Sequence, residues 1–249
     1  MRMVGLEELS ISVIVPCYNE GTNIQKTIRA VEVYLKEHFQ IFEIIAVNDG
    51  STDDTVTELE ALHDVVSLRA IHLPTNRGKG FAVREGALAS RYEVVMFLDA
   101  DLGIPIEELA VFVEELKKGF DLVIASRFVP GLRVAHPVLW YRRLMEKVFR
   151  ILRMIVLGIY HVQDTQCGFK VFRRRLVDEV FPLMQIERFA FDAEFIFLTY
   201  KKGYSIKELP ITLQNPTSSS IRIIRDSLNM LSDLLKIRTR FTFGKYKGL

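Results

Sequence analysis

A run of five apolar residues, Val94–Leu98, is followed directly by two aspartates, Asp99 and Asp101, with one alanine between them. Such a run is typical of a strand buried inside a sheet. Side chains at i and i+2 of a strand point to the same side, so both carboxylates can converge where the strand ends. Their repulsion would be relieved by a divalent cation that prefers oxygen ligands, Mg²⁺ or Mn²⁺. The alternative, that both aspartates only begin a loop, stays open on this pattern alone.

Three earlier apolar segments of similar length, Ile11–Pro16, Phe42–Val47 and Leu68–Leu73, also end in polar clusters. Between the segments, apolar residues recur at helical spacing, over about Thr22–His38 and about Phe81–Ser90. The alternation of strands and helices predicts an α/β fold, with a mostly parallel central sheet flanked by helices on both faces. A chain of 249 residues fits one large domain of this kind.

Ligands of parallel sheets bind where the strands end, so the polar clusters are expected to share one edge. Two glycines in the Asn76–Gly80 segment permit close backbone approach, and Arg77 and Lys79 supply positive charge that suits phosphate. Acidic residues at the other strand ends suit a ribose or a base. Neither a Walker A loop nor a G-x-G-x-x-G motif is present, so a nucleoside-diphosphate site of another kind is predicted. The alternative for the two cations is a solvated loop.

Four motifs in this order resemble family 2 glycosyltransferases of the GT-A fold: Ile-Val-Pro-Cys-Tyr-Asn-Glu at 14–20, Val-Asn-Asp-Gly-Ser-Thr-Asp at 47–53, Asn-Arg-Gly-Lys-Gly at 76–80 and Phe-Leu-Asp-Ala-Asp at 97–101. The resemblance implies a sugar nucleotide as donor. It also implies that Asp99 and Asp101 hold the donor diphosphate through the metal. The residues it implies in contact with the nucleotide are Pro16, Tyr18, Glu20 and Asp49.

Arginines are concentrated after the next strand, which is expected at Asp121–Ala125. The planar guanidinium matches the oxygens of a phosphate, so these side chains are candidates to bind an acceptor phosphate. They are Arg127, Arg133, Arg142 and Arg143. The alternative, that Arg142 and Arg143 only lie on a helix surface, stays open.

The segment from Trp140 to His161 reads as a basic amphipathic helix, because apolar residues recur on one side and five arginines and lysines interrupt them. Such a helix can lie on an anionic membrane surface, here over about 140–160. A helix packed on the core with solvated arginines, or an oligomer contact, are the alternatives. No stretch of about 18 apolar residues is present, so no transmembrane helix is expected.

The run Asp-Thr-Gln-Cys-Gly-Phe-Lys at 164–170 resembles the dolichyl-phosphate glucosyltransferase and dolichyl-phosphate mannose synthase group, as do 188–194 and 233–238. The membrane anchors of many such relatives are not expected here. The resemblance implies a GT-A domain over 1–215, with a nucleotide-sugar half at about 10–105 and an acceptor half at about 106–215, and a C-terminal amphipathic helical tail over 216–249. Asp164 is the first candidate to position or deprotonate the acceptor, with Asp192 and Glu194 as the other catalytic candidates.

The resemblance thus predicts inverting, metal-dependent transfer of one hexose to dolichyl or polyprenyl phosphate, with UDP-glucose favoured over GDP-mannose as donor. A family 2 enzyme with a non-lipid acceptor and an idle sugar-nucleotide-binding scaffold are the alternatives. The Gln-x-x-Arg-Trp motif of processive synthases is absent. A net charge of +2 without a basic aromatic stripe gives no support for nucleic-acid binding. Two cysteines and no signal peptide predict a cytoplasmic protein, peripherally associated with the cytoplasmic face of the membrane.

Overall fold

The computed structural model describes residues 6, 8–134, 140–214 and 223–249, with their side chains except at 134, 140–146 and 223–228. A central sheet contains seven of the strands: β1 Ser10–Cys17, β2 Ile41–Asn48, β3 Leu68–His72, β4 Val94–Leu98, β5 Leu122–Ser126, β7 Phe169–Arg173 and β8 Ile206–Pro210. A small second sheet joins β6 Arg133–Val134 to β9 Thr212–Leu213 in parallel.

The helices cover the sheet and its edge: α1 Ile24–His38, α2 Thr55–Glu60, α3 Lys79–Ala89, α4 Leu109–Lys117, α5 Trp140–Leu157, α6 Arg174–Glu179, α7 Phe191–Lys201 and α8 Ile223–Thr242. Short 3₁₀ helices lie at Ile106–Glu108 and Phe181–Leu183. The predicted helix at about Phe81–Ser90 in fact begins earlier, because Gly78, at φ 116°, turns the chain directly into Lys79.

The strands of the central sheet lie in the order β3-β2-β1-β4-β7-β5-β8. All neighbours pair in parallel except β7, which runs antiparallel to both β4 and β5. The prediction of a mostly parallel sheet flanked by helices is confirmed. Strand β7 was not predicted, because Lys170 interrupts its apolar pattern. Its reversed direction places the residues before Phe169 at the edge where β4 and β5 end.

Apolar side chains fill the space on both faces of the sheet, as the strand alternation requires. Val13 of β1 packs with α1 and α4 on one face, while the next residue, Ile14, packs with α3 and α7 on the other. Phe97 of β4 and Phe172 of β7 lie in this second cluster, which is rich in phenylalanine. Both cores fix the strand ends relative to one another.

Helix α5 confirms the helix predicted from Trp140, and α8 packs against it. Leu234 and Ile237 of α8 are fully buried in the second core cluster. The expected domain boundary between residues 215 and 216 lies outside the described residues. Within the ranges that the structure describes, no helix has the length and apolar character to span a bilayer.

Candidate active site

The loops that follow β1 and β2 are held together by hydrogen bonds at the carboxyl edge of the sheet. The Asn19 amide donates to Ser51 Oγ at 2.9 Å, and the Asn19 side-chain oxygen accepts from the Thr52 amide at 2.9 Å. Asn19 adopts a left-handed conformation, φ 55°, which asparagine tolerates. Tyr18 follows buried Pro16 and Cys17 and is 44% exposed beside these loops. Its ring therefore offers a flat apolar surface at the predicted nucleotide position.

Asp49 organises the loop that carries the two predicted phosphate-binding cations. Its carboxylate accepts hydrogen bonds from the amides of Arg77 at 2.8 Å and Gly78 at 2.7 Å, and from the Asn76 side chain at 2.9 Å. Burial raises the pKa of Asp49, and the two amides oppose that rise. The loops after β2 and β3 are thereby joined, as expected of clusters that share an edge. Direct contact of Asp49 with a nucleotide stays a prediction.

Asp99 and Asp101 follow β4 at the same edge. The Asp99 carboxylate forms an ion pair with Lys79, the first residue of α3. Burial alone would lower the pKa of Lys79, but the charges of Asp99 and Asp192 outweigh it and the pKa lies above its usual value. Asp101 accepts the Gly103 amide at 3.0 Å. The D-x-D loop is also tied to α1, since Thr27 Oγ1 donates to the Ala100 carbonyl oxygen at 2.5 Å.

Asp99 and Asp101 suit a divalent cation that substrate oxygens also bind, because within the described residues no three His, Cys, Asp or Glu side chains are arranged to hold a metal ion by themselves. The pKa of Glu20 is raised by burial and then by the charges of Asp101 and Asp99, so the three carboxylates lie close enough to repel one another. Gly168 lies beside Asp99, and a Cβ at that position would overlap the carboxylate. The absence of a side chain at Gly168 thus leaves room for the Asp99 carboxylate. Mg²⁺ and Mn²⁺ are commonly held by one or two carboxylates together with substrate phosphates, and Asp99 and Asp101 match that mode.

Asp192 forms a buried ion pair that the sequence did not reveal. Its carboxylate accepts from Lys170 Nζ at 2.5 Å, and the two side chains are 4% and 0% exposed. Lys170 also donates to the Cys167 carbonyl oxygen at 2.6 Å. Burial raises the pKa of Asp192, while the charges of Lys170 and Lys79 oppose the rise. The structure therefore brings Asp192 close to the D-x-D region, but with a lysine as its partner.

Glu194, the third catalytic candidate, is fully buried and bonded to the protein itself. Its carboxylate accepts the Ile186 amide at 2.7 Å, the Gln185 amide at 2.9 Å and the Tyr246 hydroxyl at 2.7 Å. Burial raises the pKa of Glu194, and these hydrogen bonds oppose the rise. These contacts anchor the 185–186 loop and the C-terminal segment to α7.

Arg127 directly follows β5 and is held by Asp164. The guanidinium donates to both carboxylate oxygens, Nε at 2.7 Å and Nη2 at 3.1 Å, and the Arg127 amide adds a third bond at 3.0 Å. Burial would raise the pKa of Asp164, but the charge and hydrogen bonds of Arg127 outweigh it and the pKa lies below its usual value. The Asp164 side chain is 1% exposed and that of Arg127 is 24% exposed. Asp164 therefore orients Arg127 at the surface.

The other predicted arginines lie in different surroundings. Arg77 pairs with Glu187 and its guanidinium stacks on the Phe81 ring at 3.6 Å. Arg133 is exposed on β6. The side chains of Arg142 and Arg143 lie outside the described residues. Their predicted contacts with phosphate stay predictions.

The segment from Asp164 to Gly168 connects the two halves of the site. It leads into the reversed strand β7, which lies between β4 and β5. At its start the Asp164 carboxylate binds the Arg127 guanidinium, and at its end the Gly168 backbone contacts the Asp99 carboxylate. The segment therefore fixes the predicted acceptor arginine relative to the predicted metal carboxylates.

Two contributors to this site, Lys170 and Gly168, were missed by the reasoning from sequence. A lysine inside the apolar run Phe169–Phe172 was the available signal for Lys170, because a buried cation requires an anionic partner. The spacing of Gly168 gave no such signal. Its role depends on β7 pairing with β4, which places Phe169 opposite Leu98.

The profile of the family described as Glycosyl transferase family 2 matches residues 12–181. The sequence is 31% identical to dolichyl-phosphate beta-glucosyltransferase of Saccharomyces cerevisiae, over 97% of this chain and 78% of the relative. It is 29% identical to the protein of the same name from Homo sapiens, over 95% of this chain and 77% of the relative.

Solved structures show the same fold at lower identity. Glucosyl-3-phosphoglycerate synthase from Mycobacterium tuberculosis, in complex with Mn²⁺, uridine diphosphate and phosphoglyceric acid, superimposes with a TM-score of 0.69 at 20% identity, covering 93% of this chain and 79% of that one. Mannosyl-3-phosphoglycerate synthase from Rubrobacter xylanophilus gives 0.67 at 18% identity, covering 97% and 77%. These neighbours confirm the predicted GT-A fold.

Proposed function

The chain belongs to glycosyl transferase family 2 and is a glycosyltransferase, and we propose that it transfers one glucose from UDP-glucose to dolichyl or another polyprenyl phosphate. Relatives named dolichyl-phosphate beta-glucosyltransferase, similar over nearly the whole chain, support the sugar and the acceptor. The observation that carries the proposal is the 164–168 segment, which joins a carboxylate pair suited to a metal–diphosphate and an arginine suited to a phosphate. The guanidinium of Arg127 suits an acceptor that carries a phosphate.

The donor would bind along the ends of β1 to β4. The exposed Tyr18 ring can stack on the base, an interaction worth about 1–3 kcal/mol. Lys79, which begins α3 and pairs with Asp99, places a positive charge that favours the diphosphate. Asp99 and Asp101 would hold Mg²⁺ or Mn²⁺ there. Such an ion, when bound, offsets the charge that develops on the departing diphosphate.

The acceptor phosphate would be held by Arg127, whose orientation is set by Asp164. A phosphate oxygen attacks the anomeric carbon from the side opposite the diphosphate, so the new carbon–oxygen bond forms as the old one breaks. The configuration at that carbon is thereby inverted. A phosphate monoester is already ionised near neutral pH, so no strong general base is needed. This assigns Asp164 to positioning, and its bidentate bond to Arg127 supports that role.

A polyprenyl phosphate lies in a bilayer, and one surface of the protein suits contact with it. Three residues of α5 with large apolar side chains share one exposed side: Val148 at 43%, Ile151 at 45% and Ile155 at 67%. Helix α8, which packs on α5, exposes Leu235 at 52%, and Phe243 just beyond it is 75% exposed. Basic residues accompany both helices, as expected for a peripheral contact with anionic lipid. We propose that the exposed apolar side of α5 rests on the cytoplasmic face of a membrane.

The proposal is tested by incubating the purified protein with Mg²⁺ or Mn²⁺ and a short polyprenyl phosphate, with radiolabelled UDP-glucose or GDP-mannose in parallel. Label that enters the organic phase from UDP-glucose, and that is lost in Asp101→Asn, is the expected result. Label from GDP-mannose alone would replace the donor and keep the mechanism. Hydrolysis of UDP-glucose without lipid labelling would overturn the acceptor, and an unreactive protein that still binds UDP-glucose would favour a scaffold.

A further inference from the structure

Arg153 is a buried arginine on α5, just before the segment that leads to Asp164. It is 1% exposed, on a helix whose neighbouring residues Ile151 and Ile155 face solvent. One alternative from the sequence was a helix packed on the core with solvated arginines, and Arg153 is not solvated. Burial lowers the pKa of Arg153 to about 10, although the nearby carboxylates of Asp164 and Glu208 oppose the decrease. The guanidinium therefore remains charged at neutral pH.

The hydrogen bonds of Arg153 all go to backbone carbonyl oxygens of the segment that leads to Asp164. Nη2 donates to Val162 at 2.7 Å and to Gln163 at 3.3 Å, and Nη1 donates to Ile159 at 3.4 Å. Helix α5 ends just before this segment, where Gly158 at φ 69° reverses the chain. The 159–163 segment thus folds back over the guanidinium of Arg153, which lies on the preceding helix α5.

Glu208 of β8 holds the same segment from its amide side. Its two carboxylate oxygens accept the Gln163 amide at 2.7 Å and the Asp164 amide at 2.9 Å. Arg153 therefore binds the carbonyl oxygens of Val162 and Gln163, and Glu208 binds the amides of Gln163 and Asp164. Both contacts lie directly beside the Asp164 carboxylate that binds Arg127. Removing either charge would free the backbone that sets where Asp164 points.

We propose that Arg153 is a positioning residue for the acceptor phosphate: it fixes the 159–163 backbone so that Asp164 holds Arg127 in the orientation that binds the phosphate. This inference rests on the proposed function, because it takes Arg127 as the phosphate ligand. Arg153 would act through Asp164 and Arg127 rather than by contact with a substrate. It differs from a residue of purely structural use in that its loss should affect one substrate and spare the other.

The test compares Arg153→Met and Arg153→Lys with wild type, and uses Arg91→Met, an exposed arginine near the opposite ends of the strands, as the matched control. Arg153→Met should raise the KM for polyprenyl phosphate about tenfold and leave the KM for UDP-glucose within about twofold. Arg153→Lys keeps the positive charge but has a single nitrogen to donate hydrogen bonds. Its KM for polyprenyl phosphate should lie between those of wild type and Arg153→Met. Glu208→Gln should show the same split, and the control should match wild type.

An unchanged KM for polyprenyl phosphate in a folded Arg153→Met protein would overturn the inference. An equal increase in the KM values of both substrates would overturn it as well. Hydrogen exchange provides a readout that needs no turnover: the Arg127 amide, which donates to Asp164, should exchange faster in Arg153→Met than in Arg91→Met. If wild type transfers nothing to the lipid, the proposed function fails. Exchange at Arg127 then decides separately whether Arg153 positions this arginine.

Discussion

The carboxylate of Asp99 lies against the backbone of Gly168, and the Asp99 amide donates to the Gly168 carbonyl oxygen at 3.1 Å. Sixty-eight residues lie between these two positions in the sequence. They meet because β7 pairs antiparallel with β4. The position of the Asp99 carboxylate therefore depends on the 164–168 segment as well as on its own loop. The two motifs that the sequence presents far apart form one structural unit.

Gly168→Ala should weaken metal binding, because the added Cβ would overlap the Asp99 carboxylate and displace it. A displacement of that kind should reduce Mn²⁺ affinity and turnover by about tenfold or more. Mn²⁺ titration followed by electron paramagnetic resonance measures the first effect without turnover. Cys167→Ala, which shortens the neighbouring side chain instead, should keep the Mn²⁺ affinity of wild type. Equal Mn²⁺ affinity in Gly168→Ala and wild type would contradict the view that Gly168 positions the Asp99 carboxylate for metal binding.

Lys170→Met should strongly destabilise the fold, since it leaves the Asp192 carboxylate buried without its partner. Breaking a buried ion pair costs about 3–5 kcal/mol in the free energy of unfolding. The double variant Lys170→Met/Asp192→Leu should recover most of that loss, because two apolar groups need no partner. Urea unfolding measures both. Arg29→Met, which breaks the exposed pair with Asp64, is the control and should change little.

The same pair of variants addresses catalysis by Asp192. If Asp192 mainly neutralises Lys170, the stable double variant should retain measurable glycosyl transfer. Complete inactivity of a well-folded double variant, with donor binding intact, would instead support Asp192 as a catalytic base. The comparison separates a structural role from a chemical one, which a single Asp192→Asn variant cannot do.

The edge of the sheet at which the site lies could be predicted from sequence. The side-chain contacts within the site, such as Lys170 with Asp192, could not. Apolar runs that end in polar clusters locate parallel strand ends, so the meeting of Asp49 with the 76–78 loop follows from topology alone. The partner of Lys170 depends on where α7 docks on β7, which local pattern does not encode. Helical periodicity likewise finds the two sides of α5 but does not say which one meets the core, and Arg153 is buried while Ile155 is exposed.

The Asp164–Arg127 pair should contribute a pH-dependent part of the stability. Because Arg127 holds the pKa of Asp164 below its usual value of 3.8, the pair stabilises the fold above that pH. The contribution is lost as the pH falls through the lower pKa of the folded state. The difference in unfolding free energy between wild type and Asp164→Asn should therefore be constant from pH 6 to about pH 4 and shrink below it.

Urea unfolding at several pH values measures this difference, and the Arg127→Met background is the control. Without the guanidinium the pKa of Asp164 is no longer depressed, so the same Asp164→Asn step should lose that low-pH decrease. A difference that stays constant down to pH 3 in the wild-type background would contradict the assigned cause.

Tyr246→Phe should destabilise the protein and leave the chemistry unchanged. The variant removes the hydroxyl that donates to Glu194 inside the core and leaves that carboxylate one hydrogen bond short. The expected loss is about 1–3 kcal/mol, measured by urea unfolding. Tyr200→Phe, at a half-exposed ring on α7, is the matched control. A large fall in kcat of folded Tyr246→Phe, without a loss of stability, would support the prediction that Glu194 is catalytic.

Ile155→Glu should weaken binding to vesicles that contain anionic lipid. Ile155 is 67% exposed on the apolar side of α5, and transfer of such a side chain from water into the bilayer interface contributes about 1.5–3 kcal/mol. Its replacement by a carboxylate should therefore lower the vesicle partition coefficient about tenfold or more, measured by co-sedimentation. Ile151→Glu should have a similar effect, because the two positions share one side of the helix.

Val66→Glu provides the control for this surface, since Val66 is 94% exposed in the loop between α2 and β3 and carries no proposed lipid contact. Its partition should equal that of wild type. The α5 variants should also keep their activity toward a short, detergent-dispersed polyprenyl phosphate, because the substitution affects the approach to the bilayer and spares Arg127. Equal vesicle binding by Ile155→Glu and Val66→Glu would show that α5 does not face the membrane, and the exposed apolar side would then require a protein partner.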